Sequence, residues 1–210
     1  MGRGTSWRAA IVGAAMLAAT PAWAMVPKTS GDLMLTYGRN LGQGLNVGGF
    51  AFEVKPLVAD RLYVGVRPFL EVGAGVSNSD TEARAEAFFG LGATVKGEYY
   101  LSEERTRPYA GLGLGVEYIA AAGALASLEA DSGEAAAWES TGTRPVIMPE
   151  VGVDLSALRL ALIYRAPIGA KGSGTVLSAN AQGESSSEIV DGPHLGGLLF
   201  QVGLHFGGPR

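Results

Sequence analysis

Charged side chains recur two positions apart within otherwise apolar segments, as at Glu53 and Lys55 or at Lys96 and Glu98. Two residues is the repeat of a β-strand, so such charges share one face of a strand. Isolated charges inside a protein are very costly, and pairing makes them tolerable. The balance of signs predicts an ion-pair network in the lumen of a closed barrel, although a solvated strand face would show the same spacing. The predicted network has six acids and five bases: Glu53, Glu71, Glu98, Glu117, Glu150 and Asp154 with Lys55, Arg67, Lys96, Arg159 and Arg165.

Hydrolysis by a Ser, a His and an acid is the other chemistry to consider. The two histidines are His194, expected in a loop, and His205, expected in the hydrogen-bond network of the lumen. Neither has a serine and an acid at a spacing typical of such a site. With no cysteine and two histidines, no metal-ligand cluster is expected either, and no cofactor. Residues 111–115 resemble a phosphate-binding glycine loop, but the two-residue repeat continues beyond them and no helix follows.

The elements that must hold these charges are β-strands. In residues 107–118, Leu112, Leu114 and Val116 alternate with glycines, which would leave room for long inward side chains such as Lys96 and Arg67, with Glu117 as the counter-charge. The same alternation predicts eight strands, at residues 32–41, 47–58, 62–76, 86–101, 107–118 (or to 122), 143–155, 158–166 and 194–206.

Connection lengths suggest an orientation in a membrane. Short turns follow the second, fourth and sixth strands, and longer connections follow the third, fifth and seventh: residues 77–85, 123–142 and 167–192. Short periplasmic turns and long external loops are typical of bacterial barrels, which places both termini in the periplasm. A helical turn is possible in 123–142, since Ala and Glu favour helix. Acidic residues in these loops could bind divalent ions near lipopolysaccharide or simply be solvated.

The apolar faces then point outward, to lipid. We predict an all-β protein, an eight-stranded antiparallel up-and-down transmembrane β-barrel. A soluble lipocalin-like barrel is the structural alternative, with its apolar rows turned inward to a ligand. Aromatic residues near both ends of the strands predict a girdle at each membrane interface. These residues are Phe50, Tyr99, Tyr118, Tyr164 and Phe206.

The start of the chain reads as an export signal. Residues 1–24 have Arg3 and Arg8, then an apolar run, then Ala-Trp-Ala, which predicts a cleaved signal peptide before a barrel domain at 25–210. The alternative, a membrane anchor helix, would need a longer apolar run. Cleavage would remove two of the 16 basic residues and leave 14 of them with 20 acidic residues. The net charge of the mature chain would then be −6. Nucleic acid is therefore not an expected partner.

Two strands carry a resemblance to a known group. The sequence RPYAGLGLGVEY at 107–118 and the terminal QVGLHF at 201–206 resemble strands of the small eight-stranded outer-membrane β-barrel superfamily, which includes the OmpA-type transmembrane domain and OmpX-like and OmpW-like proteins. The chain departs from that pattern in the four residues after Phe206. The resemblance implies a location in the outer membrane, contact with its lipid and lipopolysaccharide, and recognition of the C-terminal strand by the barrel-assembly machinery.

Three functions are compatible with this sequence. The first is a non-enzymatic barrel with a charge-plugged lumen, whose external loops serve envelope integrity or contact an unidentified extracellular ligand. The second is a narrow channel, or an OmpW-like conduit for small apolar molecules. The third and least favoured is a lipid-modifying outer-membrane enzyme.

Overall fold

The structure is a computed structural model that describes residues 29–41, 45–78, 82–102, 104–127, 135–169, 173–179, 185–191 and 196–207. The predicted signal peptide and His194 lie outside these residues. Ten strands are formed: β1 (Thr29–Asn40), β2 (Asn46–Ala59), β3 (Leu62–Asn78), β4 (Glu82–Tyr100), β5 (Thr106–Ser127), β6 (Ala135–Leu155), β7 (Leu158–Pro167), β8 (Ser173–Ala179), β9 (Ser185–Asp191) and β10 (Gly197–Gly207).

Eight of the ten strands close into a ring. Strands β1 to β7 follow one another around it, and β10 closes it by pairing with both β7 and β1. All of these pairings are antiparallel. The eight-stranded up-and-down barrel predicted from the alternation is therefore confirmed. No helix among the described residues is long and apolar enough to span a membrane.

Tight turns define one end of the ring. Ser156 and Ala157 connect the paired residues Leu155 and Leu158, and the φ of Ser156 is +63°. A positive φ at the first turn residue matches the twist of the flanking strands. The Asp60–Arg61 turn and both ends of the described chain lie at this end too, which we call the short-turn end. The opposite end is called the long-loop end.

The wall is taller on one side. The β5–β6 ladder continues until Ala126 pairs with Ala135. Beyond the end of β7, β8 takes its place beside β6, and β9 pairs with β8. We call this raised part the extension, and it comprises residues 74–78, 82–87, 119–127, 135–142, 173–179 and 185–191.

The extension corrects three expectations about loops. The predicted loop 123–142, with its helical turn, is wrong where the structure describes it, because residues 123–127 and 135–142 are strand. Helix propensity of Ala is a weak preference, and a continuous ladder overrides it. The predicted loop 167–192 is wrong at the β8–β9 hairpin, and 77–85 is shortened from both sides by β3 and β4. The last strand begins at Gly197, and its predicted start at 194 lies outside the described residues.

The two faces of the wall differ as the alternation requires. Large apolar side chains such as Leu35, Leu114 and Val95 are exposed on the outside, whereas the alternate residues face the interior and are buried. A band of exposed aliphatic and aromatic residues around a closed barrel suits contact with lipid and not with water. The lipocalin-like alternative, with apolar rows turned inward, is therefore wrong.

Candidate functional site: the barrel interior

All eleven residues of the predicted lumen network lie inside the ring and are almost inaccessible to solvent. Their exposed fractions are between 0 and 3%. Alternation along each strand puts them inside, because their neighbours at i±1 point to the outer surface. The set is Glu53, Lys55, Arg67, Glu71, Lys96, Glu98, Glu117, Glu150, Asp154, Arg159 and Arg165.

Glu98 is a carboxylate near the short-turn end on which several cations converge. It forms ion pairs with Lys55 on β2, Lys96 on its own strand and Arg159 on β7. The hydroxyl oxygen of Tyr100 also lies 3.3 Å from it. Three cations on three strands thus converge on one carboxylate in a site that excludes water.

Glu150 on β6 is a second convergence point. It lies 2.6 Å from Nη1 of Arg67, 2.8 Å from Nζ of Lys96 and 3.4 Å from Nη2 of Arg159. The Tyr109 hydroxyl donates to its other oxygen at 2.6 Å. Since Arg67 is on β3 and Glu150 on β6, this pair links strands that are not neighbours in the ring.

Asp32 and His205 extend the network to the strands that close the barrel. Asp32 on β1 lies 2.7 Å from Nζ of Lys55 and 2.9 Å from Nη1 of Arg159. Its other oxygen contacts Nδ1 of His205 at 2.6 Å, and Nη2 of Arg107 is 2.8 Å from Nε2 of that ring. Arginine can only donate, so Nε2 accepts and Nδ1 donates to Asp32. His205 is thereby held by a cation on one side and an anion on the other.

These contacts define one connected group, which we call the ionic zone. Its formal charges balance without His205, five carboxylates against five cations: Asp32, Glu53, Glu98, Glu150 and Asp154 with Lys55, Arg67, Lys96, Arg107 and Arg159. Balanced pairing is what a low-dielectric interior requires of buried charges.

Aromatic rings fill the space between these ion pairs. The rings of Tyr63 and Tyr100 meet edge to face at 5.3 Å, and those of Tyr100 and Tyr109 lie 5.5 Å apart. The Arg159 guanidinium stacks 4.0 Å above the centre of the Tyr109 ring. The Tyr100 hydroxyl donates to Asp154 at 2.7 Å. Rings and charges together pack the lumen at this level.

A second charged group lies further toward the long-loop end. Arg165 on β7 pairs with Glu71 on β3, on the opposite side of the ring, and lies 3.8 Å from Glu117. Arg144 pairs with Glu117 at 2.7 Å. The expectation that Glu117 is the counter-charge of Lys96 and Arg67 is wrong, because its partners are on β6 and β7.

Apolar side chains occupy much of the lumen around this second group. We call them the apolar zone, and Trp138 packs against it. Its members are Met34, Leu45, Val47, Ala51, Phe69, Phe88, Ile119, Ala121, Val146, Met148, Ile163 and Leu199. The sequence predicts a lumen filled by charges, so this apolar filling is a finding of the structure.

Several interior charged residues were not identified from the sequence. Asp32 and Arg107 fall at the edges of predicted strands, where alternation is hard to follow. Arg144 lies in the part of β6 that Pro145 and Pro149 make a weak strand prediction. Arg107 and Arg144 occupy the same alternate positions as the identified charges of β5 and β6, which was the available signal, whereas no charge had been identified on β1, the strand of Asp32.

The five aromatic residues predicted for the girdles all point outward. Their exposed fractions range from 43 to 52%: Phe50, Tyr99, Tyr118, Tyr164 and Phe206. Tyr99 and Phe206 lie near the short-turn end, and Tyr118 lies midway along β5, which runs on into the extension.

The polar contacts of this interior are ion pairs and hydrogen bonds. No group of three or more His, Cys, Asp or Glu residues suited to a metal ion occurs in the part of the chain that the structure describes. His205, the histidine that a hydrolytic site would need, has its two ring nitrogens engaged by Asp32 and Arg107.

Comparison with known proteins supports the architecture. The sequence matches no protein-family model and no curated protein sequence. Among solved structures, a major outer membrane protein from Thermus thermophilus is similar, with a TM-score of 0.53 and 14% identity over 85% of this chain and 99% of that one. Acinetobacter baumannii CarO is similar with a TM-score of 0.51 and 7% identity over 84% of this chain and 96% of that one. At such identities the likeness concerns the fold. The closed ring and its exposed apolar band agree with that fold: the chain is a small eight-stranded β-barrel of the outer-membrane type.

Proposed function

We propose that this protein is a non-enzymatic outer-membrane barrel with a closed lumen, and that its external strands and loops serve envelope integrity or surface interaction. The observation that carries the proposal is the ionic zone. Its side chains reach across the ring from β2, β3, β4, β6 and β7 and are buried. An interior of eight strands is just wide enough for side chains to fill.

The contacts argue for a plug that holds its shape. Arg159 meets four carboxylates and a tyrosine ring, so moving it aside would leave several charges unpaired at once. Breaking a buried pair by removing one partner costs about 3–5 kcal/mol. Thermal fluctuations therefore seldom open such a plug.

Planar-bilayer recording with the purified protein tests the closed lumen. We expect no stable conductance from the wild type. The double substitution Arg67→Ala and Arg159→Ala, which removes two cross-lumen side chains, should produce openings. Arg84→Ala is the matched control, because its partly exposed side chain pairs with Glu86 in the extension, and it should stay silent. Steady conductance from the wild type would contradict the plug and favour the channel alternative.

The outer surface and the last strand indicate the partners that we propose for this protein. Membrane lipid surrounds the apolar band, and lipopolysaccharide is the lipid proposed at the long-loop end. β10 presents Phe206 outward near the end of the chain, and this strand is the segment proposed to be read by the barrel-assembly machinery. The girdle role of the five aromatic residues belongs to the same proposal.

A further inference from the structure

The extension carries an apolar trough that the closed lumen does not use. It has a volume of about 770 Å³ and crosses six strands, from β3 to β9. Such a volume lies within the range of small-molecule sites. Alanine is the commonest lining residue, with eight of the sixteen positions.

Register places this trough on the outer face of the extension. Two cross-strand rows line it, and Val76 and Leu177 of the first row are 76% and 59% exposed. Eleven of the sixteen lining residues belong to these two rows, and the row of Trp138 does not line the trough. The other five form the row between the two: Arg84, Leu125, Ala136, Ser178 and Ser186. The first row is Val76, Ala85, Ala124, Ala137, Leu177 and Ser187, and the second is Ala83, Ala126, Ala135, Ala179 and Ser185.

The lining changes character along its length. The two rows are apolar from β3 to β8 and end in the hydroxyls of Ser185 and Ser187 on β9. The charged lining residue Arg84, on the row between them, is paired with Glu86. Five strand spacings of about 4.8 Å make the trough about 24 Å long. A long, narrow, apolar floor with hydroxyls at one end matches a molecule with one extended hydrocarbon chain and one polar head.

We propose that this trough binds a single-chain amphiphile of the long-chain fatty acid type. Its hydrocarbon chain lies across the alanines, and its head group reaches Ser185 and Ser187. The small alanine side chains let the chain approach the backbone closely. The proposal does not depend on whether the lumen conducts.

Continuity with the lipid-facing band supports this occupant over a polar one. Along β5 the outward residues from the trough downward are Ala122, Ala120, Tyr118 and Val116, with no charge among them. An apolar chain bound in the trough therefore reaches the bilayer surface along an uncharged path. A carbohydrate or an acidic peptide would meet only apolar side chains along these rows from β3 to β8.

Energy transfer from Trp138 measures occupancy of the trough. Trp138 follows the lining residue Ala137, and the other two tryptophans, Trp7 and Trp23, lie in the predicted signal peptide. Mature protein, checked by mass, is placed in lipid nanodiscs and titrated with cis-parinaric acid, and nanodiscs without protein give the background. We expect saturable transfer that unlabelled palmitate displaces and butyrate does not.

Variants locate the binding. Ala124→Glu and Ala137→Glu each put a charge on the apolar floor, and both positions are exposed, so the fold does not have to bury it. Each should weaken binding by tenfold or more. Thr141→Glu is the matched control, an exposed outward position on the same strand that does not line the trough, and its affinity should equal that of the wild type. Heat-modifiable migration on gels verifies folding of each variant.

Three results would overturn the proposal. They are non-saturable transfer in the wild type, equal affinity in all folded variants, and a stable dimer whose partner covers the trough and excludes the probe. The conductance test of the closed lumen is independent of all three results, so either proposal can fail while the other stands.

Discussion

The ionic zone and the apolar zone share one wall but stabilise it in different ways. In the ionic zone, directional contacts join residues on strands that do not touch, such as Arg67 on β3 and Glu150 on β6. In the apolar zone, Met34, Phe69 and Leu199 fill space without directional contacts. Removing a charge leaves its partners unpaired, whereas removing an apolar side chain leaves a cavity. The comparison shows that an alternating strand specifies which residues share a face but not how the interior is filled.

The largest expected effect comes from breaking the ionic zone at its centre. Glu98→Gln keeps the size of the side chain but removes the charge that Lys55, Lys96 and Arg159 share. We expect it to lower the free energy of unfolding by about 3–5 kcal/mol, because three buried cations lose a common partner. The measurement is denaturant unfolding in detergent, followed by the heat-modifiable shift on gels.

Glu104→Gln is the control for this substitution, since Glu104 is exposed in the turn before β5. It should change stability by less than about 0.5 kcal/mol. Equal stabilities for the two variants would show that the ionic zone does not hold the barrel together.

The apolar zone is tested by a pair of neighbours on β1. Met34 is fully buried in the lumen, while Leu35 is 66% exposed on the outside. Met34→Ala should cost about 2–4 kcal/mol, because the closed interior cannot fill the cavity. Leu35→Ala should cost less, since lipid or detergent takes the place of the missing atoms. Unfolding midpoints of the two proteins in the same detergent provide the comparison, and a larger loss for Leu35→Ala would reverse the assignment of faces.

A smaller effect is expected from overfilling the ionic zone. A Cβ at Gly152 would lie 2.4 Å from the Tyr109 hydroxyl oxygen and 2.5 Å from the carbonyl oxygen of Leu160, whereas one at the outward Gly97 would meet nothing within 4 Å. Gly152→Ala should therefore destabilise by about 1–3 kcal/mol. Gly97→Ala should be close to neutral. Thermal unfolding of both variants measures the difference, and two neutral variants would mean that the ionic zone has spare room.

The strands of the ring were largely predictable because their signal is local. Leu112 and Leu114 alternate with glycines within a few residues, and this alternation places β5 in the wall without knowledge of any partner. The extension was not predictable in the same way. Alanines at 120–126 and 135–137 carry little side-chain preference, so their conformation depends on pairing with β4, β6 and β8.

The sequence indicated which charged residues belong to the interior network, but not which of them form ion pairs with each other. Glu117 is predicted beside Lys96 and Arg67, but its partners are Arg144 and Arg165. Contacts across a lumen depend on strand register and tilt around the whole ring. The sequence of a single strand does not specify either quantity.

By itself, then, the sequence determined the eight alternating strands and which residues share a face of each strand, because alternation is a property of consecutive residues. Which of the two faces is turned inward required the burial seen in the folded ring. Tertiary structure alone decided which charges pair, that apolar side chains share the lumen, and that β8 and β9 raise one side of the wall. The physical reason is that ladder pairing and cross-lumen contact join residues far apart in the chain, such as Arg159 and Asp32.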